Sequence, residues 1–297
     1  MALSPQQQDE LREQIFEKVA RLAEANGGFF TYQELMDFEV SGIKIPLIGQ
    51  RGITNPALFD STLSVVSAAD GPYNDHLGPD GMLRYAFENG NPTAGRNRKL
   101  LVSMTTRTPL ILFERPMSNV YVPVIGAFVV DADLENRFVT IAIDNNIRRN
   151  YESGLDLVDE LDRNYMRTEI TRRVHQPIFR AKVISAYNSK CAICRLAHAE
   201  LLDAAHIIPD RHEQGHAIVA NGLALCKIHH AAYDVNLLGI DPDYKVHIDK
   251  ELLAEIDGPM LEHGLKDMHL VELTVPSVSK FRPDRDRLAQ RFEMFMS

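Results

Sequence analysis

All three cysteines of this 297-residue chain lie in one stretch, first as a C-x-x-C pair and then at the start of a C-x-x-H-H motif. Thiolates and an imidazole at these spacings suit a tetrahedral zinc ion, which takes four ligands from two short knuckles. The alternative, buried cysteines beside unrelated histidines, does not explain why the cysteines fall in two knuckle spacings. The sequence therefore predicts a structural zinc site with four ligands: Cys191, Cys194, Cys226 and His229.

Three further polar residues lie in the same stretch, and zinc binding does not account for them. His206 stands in D-A-A-H-I-I-P, Asn221 opens N-G-L-A-L-C, and His230 directly follows the predicted zinc ligand. A histidine, an asparagine and a histidine in register with two zinc knuckles form a specific pattern. The pattern resembles the HNH (ββα-metal) endonucleases. In particular, N-G-L-A-L-C-K-I-H-H-A-A-Y-D resembles the predicted HNH restriction endonucleases of bacteria.

Residue patterns place these side chains on a ββα unit. The residues from Leu202 to Ile208 are typical of one strand and those from Leu223 to Leu225 of a second strand. The segment from Asp210 to Ala220 between them is expected to be a loop, and a helix is expected from Cys226 onward.

Adjacent positions on that helix predict different roles for its two histidines. Neighbouring helical residues point about 100° apart, so His229 and His230 cannot both serve one small site. His230 and Asp234 are spaced i,i+4 and share a face of the helix. Asp234 could therefore orient His230 or join the outer shell of a metal ion, or it could be a solvated carboxylate at the helix end.

The HNH resemblance implies hydrolysis of phosphodiester bonds. It implies that His206 deprotonates the attacking water near neutral pH, that Asn221 braces the loop holding His206, and that His230 ligates a divalent cation such as Mg²⁺. A hard cation in this place would neutralise the scissile phosphate and stabilise the departing 3′ oxygen.

One position departs from the family pattern. Many HNH endonucleases have an acidic metal ligand directly before the first histidine, where this chain has Ala205. Asp203 is the nearest acid, but in a regular strand it would face away from His206, which is three residues further on. A β-bulge could bring Asp203 round. The candidate ligands of the catalytic cation are therefore His230, Asp203 and Asp234.

The composition predicts a globular protein of two domains. Hydrophobic residues make up 45% of the chain and charged residues 25%, and no apolar run is long enough to span a membrane. The N-terminus is polar and acidic, unlike a signal peptide, and together with zinc-type cysteines this favours the reducing cytoplasm. A net charge of −9 argues mildly against a protein that coats nucleic acid, but it allows a local basic face.

The predicted fold class is α+β, arranged in three parts. Residues 1–150 are expected to form a helical cap and a β-rich DNA-recognition domain, residues 151–190 a helical basic linker, and residues 191–297 the HNH nuclease domain with its zinc site. The segments D-G-M-L-R-Y, G-R-N-R-K-L-L and T-P-L-I-L-F resemble the N-terminal domain of predicted HNH restriction endonucleases. This second resemblance implies a PUA-like barrel related to the SRA modules that read modified cytosine.

Basic and aromatic residues are the candidates for contact with DNA. A basic turn and the basic linker could bind phosphates through Arg96, Arg98, Lys99, Arg172, Arg173 and Arg180. A pocket for a flipped base could use Tyr73, Asp75, Tyr85 and Phe87. The alternative for the last four is an ordinary core aromatic or a turn aspartate. The linker helix also has an apolar face at i,i+4 spacing, formed by Phe179, Val183 and Tyr187.

The leading hypothesis is a metal-dependent DNA endonuclease of the restriction type, acting on double-stranded DNA and selecting modified DNA. The alternative is a non-catalytic reader of modified DNA in which the zinc module is only a scaffold. The sequence favours the enzyme, because a scaffold has no use for His206, Asn221 and His230. Since one HNH site attacks one strand, a homodimer is the simplest way to address both strands.

Overall fold

The computed structural model describes residues 3–68, 76–78, 80–153, 168, 170–210 and 212–297. The chain divides into two compact units, Met1–Ile178 and Phe179–Ser297. Among the described residues, no helix is both long enough and apolar enough to cross a membrane.

Two helices open the first unit. Helix α1 (Pro5–Ala25) and the short helix α2 (Tyr32–Met36) each begin at a capping box, in which the cap side chain and the N3 side chain bond each other's backbone amides. These bonds satisfy amide donors that a helix start otherwise leaves without partners. Helix α1 buries an apolar stripe in the core of the unit, formed by Leu11, Ile15 and Val19.

The strands of the first unit form a small hairpin and one large sheet. The hairpin pairs β1 (Glu39–Val40) with β2 (Ile43–Lys44). The strands of the sheet are β3 (Ile53–Thr54), β4 (Ser64–Ala68), β5 (His76–Leu77), β6 (Met82–Ala86), β7 (Leu110–Met117), β8 (Val120–Asp133) and β9 (Phe138–Ala142). Their spatial order is β3-β4-β7-β8-β9-β6-β5. Strands β4 and β7 run parallel, and the other neighbouring pairs in the described residues are antiparallel.

Strand β8 curls this sheet, because it pairs along both edges and its register shifts on each side. Against β7 the shift falls at Gly126, whose φ of +81° suits a residue without a side chain. Against β9 the shift falls between Val129 and Asp131. Extra residues of this kind bend and twist a strand. The predicted α+β class is confirmed, and the barrel-like character of the first unit stays a prediction.

The sheet has a hydrophobic cluster on each face. Successive strand residues point to opposite faces, and β7 follows this rule. Leu110 and Leu112 share one cluster with residues of helices α3 (Asn97–Thr106) and α4 (Asn145–Glu152). The alternate residues of β7 share the other cluster with residues of α1. Helices therefore cover both faces of the sheet.

The second unit contains a ββα motif. A π-helical turn (Thr171–His175) and helix α5 (Gln176–Ala186) come before it in the chain. Strands β10 (Leu202–His206) and β11 (Gly222–Cys226) pair antiparallel in continuous register, and helix α6 (Lys227–Asp234) follows β11 directly. The predicted order of strand, loop, strand and helix is confirmed.

The first strand of the motif ends two residues before the predicted end at Ile208. Beyond His206 the backbone turns to Asn221 instead of continuing the strand ladder. The Ile207 amide donates to the Asn221 carbonyl at 2.9 Å, and the Ile208 amide donates to the Asn221 side chain at 2.9 Å. The ladder is thus replaced by bonds to a single residue.

The remaining elements of the second unit support the motif from outside. They are β12 (Leu238–Ile240), β13 (Val246–Ile248), α7 (Lys250–Ala254), α8 (Pro259–Gly264) and α9 (Arg285–Met296). Arg291 of α9 donates to the Tyr233 carbonyl at 2.6 Å, which fixes the end of α6. The predicted apolar face of the linker helix is also buried, and it consists of Phe179, Val183 and Tyr187.

Candidate metal centre and active site

Four potential ligand atoms converge where the two knuckles meet. The Sγ atoms of Cys191, Cys194 and Cys226 and a ring nitrogen of His229 all lie within 4.8 Å of one another. His229 Nδ1 is 3.4 Å from Cys191 Sγ and 3.2 Å from Cys226 Sγ. Cys226 caps helix α6, so that Cys226 and His229, one turn later, face the same point.

The donor set of this cluster fits a zinc ion. All three cysteines are free thiols, and the 4.0 Å between Cys194 Sγ and Cys226 Sγ is far beyond a disulfide bond. A hydrogen bond from Cys226 lowers the pKa of the Cys191 thiol to about 3, while that same contact raises the pKa of Cys226. A divalent cation would allow all three sulfurs to be thiolates together.

The orientation of His229 is also that of a metal ligand. Its Nε2–H donates to the Gly264 carbonyl at 2.9 Å, which leaves Nδ1 directed at the sulfurs. Zinc-bound histidines commonly donate their second ring N–H to a carbonyl or carboxylate, which fixes the tautomer and the ring orientation. Gly264 was not singled out by the sequence, because it lies far from the motif in the chain.

His206 ends strand β10 in a partly buried position. Its ring stacks on the Phe179 ring, with 4.0 Å between centroids and 17° between planes. Burial lowers the pKa of His206, and the nearby positive charge of His230 lowers it further. The negative charges of Asp210 and Asp234 raise the pKa but do not cancel the effect of burial. Its Nε2 is buried and has no hydrogen-bond partner within the protein. The end of this strand therefore carries an imidazole whose lowered pKa favours the neutral form and whose Nε2 is buried without a hydrogen bond.

Asn221 ties down the segment that follows His206. It is completely buried, and its side-chain amide donates to the Ile208 carbonyl at 3.0 Å and the His216 carbonyl at 3.1 Å. Its side-chain oxygen accepts the Ile208 amide at 2.9 Å. These three bonds hold both ends of the loop between β10 and β11.

His230 lies between two carboxylates. Its Nδ1 is 3.4 Å from Asp203 Oδ2, and its Nε2 is 3.3 Å from Asp234 Oδ2. Strand β10 is regular, so no bulge brings Asp203 round to the side of His206, and Asp203 points towards helix α6. The structure thus brings Asp203 and Asp234 to His230, but at opposite ring nitrogens, so only one of the two carboxylates can share a cation with a given nitrogen.

Two cations also lie at the Asp203 carboxylate. Lys227 Nζ is 2.7 Å from Oδ1 and 2.8 Å from Oδ2. Arg180 donates to the Ala199 carbonyl at 3.2 Å and the Leu202 carbonyl at 2.7 Å, with its Nε 4.0 Å from Asp203, and its contact with DNA stays a prediction. The Arg180 guanidinium therefore forms hydrogen bonds with the backbone at the start of β10. Sequence reasoning missed Lys227, although its i,i+3 spacing from His230 on α6 was visible.

The predicted basic turn of the first unit is the start of a helix, since Asn97 begins helix α3 directly after Arg96, and the contact of these residues with DNA stays a prediction. Lys99 donates to the carbonyls of Pro56 and Phe59, and burial lowers the pKa of its ammonium. Arg96 donates to the Ile53 carbonyl at 3.3 Å. Arg96 and Lys99 therefore bond the protein's own backbone, although Arg96, like Arg98, is exposed.

The two other predicted phosphate contacts lie just before α5. Arg173 is 3.4 Å from the Asp144 carboxylate and donates to the Ile143 carbonyl at 3.3 Å, so it links this segment to the start of α4. Arg172 is exposed.

A cavity of about 570 Å³ opens in the first unit beside Tyr85. Glu88, Arg51 and Arg115 also line it, and Glu88 Oε1 is buried without a hydrogen-bond partner. Phe87, the second aromatic predicted for a base pocket, is buried in the same hydrophobic cluster as Tyr85 but does not line this cavity, and its role stays a prediction. The two remaining candidates, Tyr73 and Asp75, lie outside the described residues.

The motif and its surroundings agree with a known family. Residues 191–241 match the model of the HNH endonuclease family. This segment is an HNH endonuclease domain. The comparison with curated proteins returned no match.

Three solved structures with low overall similarity accompany this match. The modification-dependent TagI restriction endonuclease is 15% identical, with 90% of this chain and 95% of that chain covered and a TM-score of 0.31. The Type IV phosphorothioation-dependent restriction endonuclease ScoMcrA is 16% identical, with coverages of 61% and 47% and a TM-score of 0.25. The SUVH5 SRA domain in complex with methylated CHH DNA is 22% identical, with coverages of 39% and 83% and a TM-score of 0.28.

Proposed function

We propose that this protein is a metal-dependent DNA endonuclease of the restriction type. The observation that carries the proposal is the placement of His230 between Asp203 and Asp234 in the HNH domain, which also contains His206, whose Nε2 has no hydrogen-bond partner. The metal cluster of three cysteines and one histidine needs none of these four residues. A non-catalytic reader built on a zinc scaffold would leave them without a purpose.

His206 is the proposed general base. Burial against Phe179 lowers its pKa, so the imidazole is neutral near pH 7 and has a free lone pair. It would take the proton of a water molecule as that water attacks phosphorus and the bond from phosphorus to the 3′ oxygen breaks. The 3′ oxygen then takes a proton from solvent. Asn221 contributes by holding the loop, and with it the end of β10, in place.

Asp203 and His230 are the proposed ligands of a divalent cation, and Asp234, at the other ring nitrogen of His230, would orient the imidazole or join the outer shell of the ion. A carboxylate and an imidazole suit Mg²⁺ or Mn²⁺ better than the softer sulfur site does. When bound, the cation supplies charge neutralisation at the scissile phosphate and at the departing oxygen. The zinc cluster, by contrast, has four ligands and leaves no open position, as expected of a structural site.

The cavity of the first unit is the proposed reader of modified bases. Tyr85 offers an aromatic ring at its wall, and Glu88 offers a buried carboxylate oxygen that accepts no hydrogen bond and lies 3.9 Å from Arg96 Nη1. An aromatic ring stacks on any base, and a carboxylate accepts a hydrogen bond from an exocyclic amino group. A base turned out of the duplex presents both features to such a pocket.

Plasmid cleavage tests both parts of this proposal. The zinc-loaded full chain is incubated with Mg²⁺ or Mn²⁺ and matched DNAs that are unmodified, methylated, hydroxymethylated or phosphorothioated. We expect cleavage of at least one modified DNA, and a loss of about 100-fold or more for His206→Ala. The control His198→Ala removes an exposed histidine paired with Glu200 and should leave the rate unchanged.

Two results would contradict the proposal. The absence of cleavage with any metal and any DNA would favour the non-catalytic reader. Equal rates on all four DNAs, with cuts at one fixed sequence, would show that the first unit reads sequence and not modification.

A further inference from the structure

The Asp203 carboxylate already has a cationic partner, which forms hydrogen bonds with both of its oxygens. Lys227 Nζ is 2.7 Å from one oxygen and 2.8 Å from the other. A divalent cation that binds through these oxygens must take the place of this ammonium, because both claim the same lone pairs. The proposed cation site therefore contains its own competitor.

The two cations beside Asp203 differ in how readily they can leave. Arg180 is held by hydrogen bonds to two backbone carbonyls, at 3.2 and 2.7 Å. Lys227 has no bonds other than those to Asp203 among the described contacts, and its side chain is 55% exposed. An ammonium on a flexible four-carbon stem can move without disturbing the backbone.

The position of Lys227 also limits which anions its ammonium can reach after it leaves Asp203. Lys227 is the first residue of α6 and lies one turn before His230, so both side chains share the face of α6 that points to Asp203. Any phosphate that meets a cation held by Asp203 and His230 lies within reach of this ammonium. An ammonium released from Asp203 therefore has a new anion beside it.

We propose that Lys227 is a displaceable counter-ion of the catalytic site. In the metal-free protein its ammonium neutralises Asp203; the divalent cation displaces it, and the freed ammonium then binds a DNA phosphate. Lys227 is thus a positioning residue that lowers the affinity for metal alone and raises the affinity for DNA when metal is present. This inference rests on the proposed function, because it requires a cation at Asp203.

Metal binding in the absence of DNA tests the first half of the inference. Mn²⁺ binding to the zinc-loaded full chain is measured by calorimetry for the wild type and for Lys227→Met. We expect the variant to bind Mn²⁺ about tenfold more tightly, because a neighbouring positive charge has been removed. Lys227→Arg, which keeps the charge, should bind no more tightly than the wild type. Lys250→Met removes an exposed lysine of α7 and should change nothing.

The salt dependence of DNA binding tests the second half. In a His206→Ala background, which prevents cleavage, the slope of log affinity against log salt is measured with and without Mn²⁺. Adding Lys227→Met should reduce the magnitude of the slope by about one when Mn²⁺ is present, and by nothing when it is absent. No chelator is used, since it would remove the structural metal.

Asp203→Asn separates failure of this inference from failure of the proposed function. If this variant weakens Mn²⁺ binding while Lys227→Met fails to strengthen it, the counter-ion role alone is overturned. If Asp203→Asn leaves Mn²⁺ affinity unchanged, or no variant binds Mn²⁺, the cation site at Asp203 is wrong and the counter-ion role falls with it. If Lys227→Met changes the salt slope equally with and without Mn²⁺, the proposed displacement of Lys227 by the cation is also wrong.

Discussion

His206 combines two properties that a general base needs near neutral pH. Its ring is stacked on Phe179 and partly buried, which lowers its pKa from the ordinary value of about 6.5. Its Nε2 has no partner in the protein. Strand β10 positions the His206 ring, and the surrounding residues lower its pKa. Both are needed for His206 to act as a base.

The pH dependence of cleavage should report this environment. A base acts when it is neutral, so kcat/KM should rise with pH through a pKa below 6.5 and level off by about neutrality. Phe179→Leu removes the stacked ring and exposes His206 more, so the pKa should rise and the acid limb should move to higher pH. Zinc content and circular dichroism at each pH control for loss of the fold. An unchanged acid limb in Phe179→Leu would contradict this account of the pKa.

At the scale of elements, the two knuckles converge on one point, where a metal ion would join them. Strand β11 and helix α6 meet at Cys226, and one ion held there would join both to the C-x-x-C knuckle. Structural zinc sites contribute folding free energy of about 10 kcal/mol. The second unit should therefore depend on its metal more than the first unit does.

Removal of a zinc ligand should affect the two units unequally. Cys226→Ser should unfold or aggregate the second unit, whereas His206→Ala should keep both its zinc and its fold. Differential scanning calorimetry of the full chain, with atomic absorption for zinc, makes the comparison. Pure, folded wild-type protein without zinc would show that this explanation is wrong.

The cavity wall offers a second test at the scale of elements. Gly52 has a φ of +48°, and a Cβ there would come within 2.6 Å of the Tyr85 hydroxyl. Gly52→Ala should destabilise the first unit by about 1 kcal/mol or more and move Tyr85, so the preference for modified DNA should fall. Gly42→Ala is the matched control, because Gly42 has a φ of +76° and open space around it. The Gly42→Ala variant should be less stable than the wild type but should keep the preference for modified DNA. If both variants lose this preference, the loss follows from reduced stability of the first unit and not from a displaced Tyr85.

At the scale of the whole molecule, the HNH match at residues 191–241 supplies one candidate site per chain, which bears on how the proposed endonuclease could cut two strands. A single site attacks one strand, so a double-strand break needs two sites or two visits. We expect two chains related by a two-fold axis on the DNA. Light scattering with and without modified DNA should show a dimer on DNA, together with linear plasmid as an early product. A monomer on DNA that yields only nicked circles would contradict the dimer.

Short-range patterns in the sequence were sufficient to predict the HNH domain. The zinc knuckles, the order of His206, Asn221 and His230, and the ββα elements all depend on spacings within about 45 residues, where local geometry leaves few arrangements. The apolar face of α5 was predicted for the same reason, since its period is local. The roles of the individual site residues stay predictions until the variants are measured.

Tertiary structure alone decided which charged groups meet. A basic side chain can be bound by backbone carbonyls that are distant in the chain, and the sequence does not show this. Lys99 donates to the Pro56 carbonyl and Arg180 to the Leu202 carbonyl in this way. In the same way, the burial of Phe87 in the hydrophobic core depends on contacts that only the tertiary structure shows. The contact of Asp203 with Lys227 and His230 depends on how α6 lies against β10. The sequence by itself determined the elements and the donor types, because these follow from local spacing; the pairing of charges required the fold, because it joins residues that no local rule relates.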